Sequence, residues 1–195
     1  MSPGPVRVCF VCSGNICRSP MGEVVLTRMA ETAGLAGLVL ATSAGTGDWH
    51  IGERADHRTL TALAARGYDG LPHRAQLFEP QWLPELDLVL ALDRGHQRTL
   101  RGWTTSQDDR AKVRLLRTFD PRNAEVSDRA GRGEDVGRAL DVPDPYYSDL
   151  DAFDLVLDQV EQSCVGLLTH LQQVLVQPGD GLHPGLAPDG QRGAW

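Results

Sequence analysis

VRVCFVCSGNICRSP, the stretch from Val6 to Pro20, divides into three parts of different chemistry. Val6–Cys12 follows Pro5 and is apolar and β-branched without alternation. Such a run fits a strand buried on both faces, as in a parallel sheet. Ser13–Ser19 is a short polar loop. Ser19 and Pro20 suit the N-cap and first position of a helix. Met21–Ala33 carries Val24, Val25, Met29 and Ala33 near helical spacing, and Gly34 stops it. A buried strand, a tight loop and a helix in succession open a β–α unit.

The rest of the chain continues the alternation. Leu38–Ser43 and Leu86–Leu92 read as strands, and Val113–Phe119 as a weaker one. Asp56–Arg66 reads as a helix with Leu60, Leu63 and Ala64 on one face. Asp151–Val176 reads as a long helix whose stripe runs from Phe153 through Val160, Cys164 and Leu171 to Leu175. The pattern predicts an α/β fold: a single open parallel four-stranded sheet with helices on both faces. In such folds ligands sit beyond the carboxyl ends of the strands, where Cys12 stands. The domain is expected to span residues 1–176. Residues 177–195, rich in Gly and Pro, are expected to form a disordered tail. Asn123–Ala139, polar and Gly-rich, is expected to be a mobile surface loop.

Composition narrows the function. At 195 residues and 41% apolar content the chain has the material for one domain with a real core. No apolar run approaches the 18 or so residues of a membrane span. Arg7 interrupts the first apolar run, so no secretory leader is expected. The net charge of −7 disfavours nucleic-acid binding, which rests on cationic neutralisation of phosphates. Four cysteines are too few for a disulfide scaffold of this length, which points to a reducing cytoplasm.

Cys12-Ser-Gly-Asn-Ile-Cys-Arg18 is a loop between a strand end and a helix start. Successive N–H groups there can converge on an anion beside the positive helix terminus. Gly14 allows close approach, Asn15 tolerates a left-handed backbone, and Arg18 offers a planar fork to two phosphate oxygens. The Gly-Lys-Ser/Thr ending of a nucleotide-binding loop is absent. A cysteine at such a point is a nucleophile: helix termini and cations lower a thiol from about 8.5 into the roughly 3.5–7.5 range. Ser19 is placed to donate a hydrogen bond to the sulfur.

C-x5-R-S at a strand-to-helix turn resembles the low-molecular-weight protein tyrosine phosphatase family, and CSGNICRSP is almost its full signature. Asp144-Pro145-Tyr146-Tyr147 resembles the family's second signature. The likeness covers Val6 to Val176. It takes in Ser43, Asp48-Trp49-His50, His73-Arg74-Ala75, Leu92-Asp93 and Phe119-Asp120-Pro121. It implies the flavodoxin-like fold of that family and a protein-tyrosine phosphatase that uses no metal or cofactor. Cys12 would form a phosphocysteine, Arg18 and the amides of Ser13, Gly14, Asn15, Ile16, Cys17 and Ser19 would hold the phosphoryl group, and Asp144 would be the general acid and base. Ile16, Trp49, Tyr146 and Tyr147 would wall a slot for the ring. Asn15, Ser19, Ser43 and His73 resemble the network that holds the loop, with Asp93 behind it. Cys17 would protect Cys12 by a reversible disulfide. The implied partners are tyrosine-phosphorylated proteins, with inorganic phosphate and other oxyanions as inhibitors. No oligomeric state is implied.

Other readings are weaker. Cys9 and Cys12 form a C-x2-C, but Cys9 lies mid-strand and should face away from Cys12. Cys9 and Cys164 are expected in the core, as are Trp82 and Trp103. His50 and His73 suggest a Cys–His hydrolase, whose oxyanion hole would not end in Arg. His57, His96, His170 and His183 are expected on the surface. An arsenate reductase of the same fold would need relay cysteines, and none lies between Cys17 and Cys164. An arginine phosphatase of the family would carry Thr where this chain has Ile16. A non-catalytic phosphotyrosine-binding module would be expected to lose Cys12 or Asp144.

Overall fold

The computed structural model describes residues 4–176. The tail expected over 177–195, with His183 and Trp195, lies outside the described residues. Four parallel strands, β1 (Val6–Cys12), β2 (Val39–Gly45), β3 (Leu88–Ala91) and β4 (Val113–Leu115), stand in the order β2-β1-β3-β4. The register sets Cys12 opposite Gly45 and Val11 opposite Ala91. β1 is therefore central, and the chain leaves it toward β2 on one side before crossing to β3 on the other. That reversal opens a crevice at the carboxyl end of β1.

Among the described residues six α-helices accompany the sheet: α1 (Arg18–Thr32), α2 (His57–Ala65), α3 (Arg94–Trp103), α4 (Gln107–Lys112), α5 (Ala124–Gly131) and α6 (Leu150–Val176). The period of two along β1 divides the interior. Val8, Phe10 and Cys12 face a core built with Met21 and Leu26 of α1 and Phe153, Val160 and Leu167 of α6. Cys9 and Val11 face the other, with Phe78, Leu83, Leu100 and Val113. Cys9 and Cys12 thus lie on opposite faces, and Cys164 is in the core, as the strand and helix periods require. Trp82 and Trp103 pack around Phe78, at centroid distances of 5.7 and 6.1 Å. Among the described residues no helix is long and apolar enough to cross a membrane.

Several expectations need correction. α1 begins at Arg18, with Cys17 as its N-cap, rather than after Ser19. The fourth strand stops at Leu115, and Leu116–Phe119 is a 3-10 turn in which the Thr118 hydroxyl bonds the Leu115 carbonyl. An edge strand paired only to β3 has little to extend it. The polar stretch 123–139 is not all loop: Ala124–Gly131 is helical, with Glu125 in its first turn and Arg129 in its last, each favourable to the helix dipole. None of its residues is buried, so no apolar stripe announced it. α3 and α4 lack an apolar stripe too, α3 burying His96 and Leu100 and α4 Lys112. Their beginnings are local: the Asp93 side chain caps α3 by accepting from His96 N–H, and Ser106 caps α4 by accepting from Asp109 N–H.

Two glycines let helices close on their neighbours, α1 on β1 and α6 on the 116–119 turn. A Cβ at Gly22 would lie 2.3 Å from the Phe10 ring, which is fully buried. A Cβ at Gly166 would lie 1.9 Å from the Phe119 carbonyl oxygen, backbone that cannot rotate away. Gly166→Ala is expected to destabilise the protein by about 1–3 kcal/mol, the usual cost of overpacking. That corresponds to a melting temperature lower by several degrees in a scan against the parent. An unchanged melting temperature would contradict the close approach of α6 to the 116–119 turn.

Candidate active site

Cys12 is the last residue of β1, and the loop after it is curled by identifiable forces. Past the strand ends the pairing continues, with Thr46 N–H to the Cys12 carbonyl and Gly47 N–H to the Ser13 carbonyl, at 2.8 and 3.0 Å. Only glycine permits this at 45, where a Cβ would meet the Ser13 carbonyl at 2.6 Å. Asn15 has φ +54°, the left-handed conformation its side chain tolerates. Its amide donates to Ser19 Oγ at 2.9 Å and Ser43 Oγ at 2.8 Å, and its Oδ1 accepts from Gln76 N–H. His73 Nε2 lies 2.7 Å from the Asn15 carbonyl, and the Ser43 hydroxyl donates to Glu23 at 2.5 Å. Asn15, Ser19 and Ser43 are all fully or almost fully buried. Among the described residues, the backbone N–H groups of Gly14, Asn15, Ile16 and Cys17 donate to no protein acceptor. The loop is therefore held from behind while its donors are left for a ligand.

Arg18 is buried, with 3% of its surface exposed. Nη1 donates to Asp93 Oδ2 at 2.9 Å and to the Val142 carbonyl at 3.1 Å, and Nη2 donates to Asp144 Oδ2 at 2.7 Å. Among the described residues Nε has no partner. A buried donor without an acceptor is costly in a folded protein. Cys12 Sγ stands 3.0 Å from Ser19 Oγ. Burial pushes the Cys17 thiol up to about 12, with the negative groups at Cys12, Asp56 and Asp144 acting in the same direction. Both cysteines are free thiols in this structure.

These groups open into a cavity of about 360 Å³. Cys12 and Arg18 lie at its base with Ser13, Gly14 and Cys17; Ile16, Trp49, His50, Tyr146 and Tyr147 line it, and Asp144 reaches it from the segment before α6. Tyr146 and Tyr147 meet edge to face at 4.9 Å. Trp49 is 70% and Tyr147 96% exposed, so both rings are largely open to solvent. Asn15 and Ser19, also expected in the phosphate loop, do not line this cavity: Asn15 bonds Ser19 and Ser43, and Ser19 meets Cys12 Sγ. Ser43 and His73 stand behind the loop, and Asp93 behind Arg18. Among the described residues no group of three or more His, Cys, Asp or Glu side chains is spaced to hold a metal ion.

His96 corrects the sequence reading. It is buried, not on the surface, and its Nε2 lies 2.9 Å from Ser13 Oγ. Its Nδ1 is 3.0 Å from Asp93 Oδ2, close in charge terms but outside hydrogen-bond direction. Burial, helped by the Arg18 charge, pushes its pKa down to about 4 against the pull of Asp93 and Asp144, so the ring is neutral at pH 7. Asp93 is held below the usual carboxylate range: burial opposes this, but His96, its backbone N–H and Arg18 outweigh it. With His96 neutral, Arg18 is the lasting positive charge beside that carboxylate. Glu23, Gln76 and Arg58 also join the site's framework, and no sequence motif singled them out. The one available signal for His96 was its place three residues after the capping Asp93.

The profile of the low molecular weight phosphotyrosine protein phosphatase family matches residues 7–177. A low molecular weight protein-tyrosine-phosphatase of Streptomyces coelicolor is 52% identical over 167 residues, covering 86% of this chain and 94% of the relative. The low molecular weight protein-tyrosine phosphatase A of Mycobacterium tuberculosis is 41% identical over 175 residues, covering 90% and 97%. Among solved structures, YfkJ from Bacillus subtilis aligns with a TM-score of 0.73 at 30% identity, covering 87% of this chain and 96% of that one. A protein tyrosine phosphatase from Entamoeba histolytica aligns at 0.74 with 26% identity, covering 86% and 97%.

The depressed His96 pKa has a consequence for stability. Between its ordinary value of 6.5 and about 4, the unfolded chain takes up a proton at this site that the folded protein refuses. Stability is therefore lost as pH falls through that window, by up to about 1.4 kcal/mol per pH unit, and is untouched by this group above it. In His96→Asn the melting temperature should fall less steeply from pH 6.5 to 4.5 than in the parent. Parallel curves would refute the buried neutral histidine.

Proposed function

The chain belongs to the low molecular weight phosphotyrosine protein phosphatase family, and from that premise we propose that it dephosphorylates protein tyrosine through a phosphocysteine on Cys12. One observation carries the reading. Cys12, whose Sγ meets the Ser19 hydroxyl, and a buried arginine whose Nε has no partner among the described residues line one aromatic-walled cavity together with Asp144.

The phosphoryl group enters the cradle of loop N–H groups, and Arg18 turns Nε and Nη2 to two of its oxygens. The Cys12 thiolate attacks phosphorus, the sulfur–phosphorus bond forms, and the bond to the tyrosine oxygen breaks. Asp144 gives its proton to the departing phenolate. A water then attacks the phosphocysteine and passes a proton to Asp144, and sulfur leaves as the thiolate. The Ser19 hydroxyl stabilises that thiolate in both steps. Cradle and fork do most of the catalytic work, since charge on the phosphoryl oxygens is what needs holding.

Ile16, Trp49, Tyr146 and Tyr147 give the slot its selectivity. Apolar walls suit a phenyl ring and offer no hydrogen bond to a guanidinium, whose desolvation they leave uncompensated. That argues for phosphotyrosine over phosphoarginine. Cys17, kept protonated by its burial, is the proposed resolving thiol. If Cys12 is oxidised to a sulfenic acid, Cys17 displaces water from it and a disulfide forms, which thiols reverse. Four free thiols favour a reducing cytoplasmic setting. Phosphate and vanadate are the expected competing oxyanions.

Cys12→Ser should abolish turnover of an aryl phosphate while vanadate still binds, because Arg18 and the loop amides remain. Turnover near the parent rate would overturn the mechanism. Asp144→Asn should lower kcat/KM for substrates with poor leaving groups by about 10²–10⁴, the usual worth of a general acid. Activated leaving groups need no proton and should lose much less. A uniform loss across a leaving-group series would remove Asp144 from that role.

A further inference from the structure

The Asp144 carboxylate is fixed by two hydrogen bonds in this structure. Oδ2 accepts from Arg18 Nη2 at 2.7 Å, and Oδ1 accepts from the Tyr146 N–H at 3.2 Å. The first is incompatible with the bound substrate described above, because the same Nη2 then faces a phosphoryl oxygen. The second lies within the loop and moves with it. Among the described residues, hydrogen bonds from outside reach residues 144–148 from Arg18 and Arg58 alone. Once substrate has claimed Arg18, Arg58 is the remaining polar tie.

Its geometry suits that task. Nη1 donates to the Ser148 carbonyl at 2.8 Å, while Nε and Nη2 clasp the two oxygens of Asp56 at 3.0 and 2.7 Å. Asp56 gives its own backbone N–H to the Ile16 carbonyl at 2.8 Å, so the line runs from the phosphate loop to the acid loop without crossing the anion site. The guanidinium lies 4.5 Å from the Phe153 ring centroid and 5.9 Å from that of Tyr146, the slot wall. A planar five-donor fork can hold a carboxylate and a carbonyl at once; a single ammonium cannot do so in this arrangement.

We propose that Arg58 is a positioning residue for the general acid, holding the 144–148 loop against the phosphate loop while substrate occupies Arg18. This rests on the reading of Asp144 as that acid. It does not touch substrate, so its loss should act through Asp144 alone.

The test compares Arg58→Met with Asp144→Asn on two substrates, phenyl phosphate and 2,4-dinitrophenyl phosphate, with vanadate inhibition measured alongside. kcat/KM is the proper readout because it covers the steps up to phosphocysteine formation. Arg58→Met should lose about 10- to 100-fold on phenyl phosphate, part of the ~10²–10⁴ that a general acid contributes. On the dinitrophenyl ester the loss, and the change in vanadate Ki, should stay below about threefold. Added to Asp144→Asn, Arg58→Met should cost nothing further on phenyl phosphate, because both changes remove one function. Equal losses on the two esters, a weakened vanadate Ki, no loss, or full additivity would each overturn the proposal. If Asp144→Asn itself fails to discriminate between the esters, the acid assignment falls, and Arg58 with it. If Asp144→Asn discriminates and Arg58→Met does not, Arg58 falls alone. Should Arg58→Met not fold, Arg58→Lys carries the same readings. Failure of both to fold would make Arg58 a residue of the scaffold and end the proposal.

Discussion

A guanidinium sealed from water at the end of a parallel sheet governs the rest of this structure. Burying a full charge is tolerable only where opposite charge and acceptors surround it. Arg18 collects them from two remote stretches: Asp93 after β3, and the Val142 carbonyl and Asp144 in the segment before α6. Val142 is itself anchored by its N–H to the Leu92 carbonyl. Satisfying one side chain thus draws the carboxyl ends of β1 and β3 and the entrance to α6 to a single point. The sheet order makes that point a crevice, and among the described residues Arg18 Nε is left there without a partner.

The two sides of the phosphate loop are built on opposite principles. Behind it, polar groups are paired: the buried Asn15, Ser19, Ser43 and His73 exchange hydrogen bonds, and Glu23 and Gln76 join them from nearer the surface. A network closed in this way holds Asn15 left-handed and gives the loop one shape. In front, donors are left unpaired and rings are left exposed. Reorganisation is therefore completed during folding rather than at the moment of reaction, which is the condition for strong electrostatic stabilisation of a transition state. Ser13 is joined to His96, whose backbone N–H donates to Asp93, so the arginine and the loop share a support.

Asp144 has a different character. Its carboxylate is half exposed, it sits on a loop, and it accepts from Arg18 Nη2. The buried guanidinium is thereby compensated by one carboxylate behind it, Asp93, and one nearer solvent, Asp144.

Local rules carried much of this protein's reading. The uninterrupted apolar run of β1, the loop from Cys12 to Arg18 and the stripe of α6 follow from side-chain periods and backbone preferences, which act over a few residues. They determined the α/β class, the parallel sheet, the opposite facing of Cys9 and Cys12, and the left-handed Asn15. Two short signatures, one around Cys12 and one at Asp144-Pro145, also marked the chemistry. What lacked an apolar stripe was invisible to that reading: α5 buries none of its residues, and α3 depends on the Asp93 cap. Tertiary structure alone decided the length of β4 at the sheet edge, the burial of His96 against Ser13, and the grip of Arg58 on Ser148, 90 residues away. Those outcomes depend on which surfaces meet after the chain has folded, and charge burial is a property of that meeting rather than of any residue's neighbours in sequence.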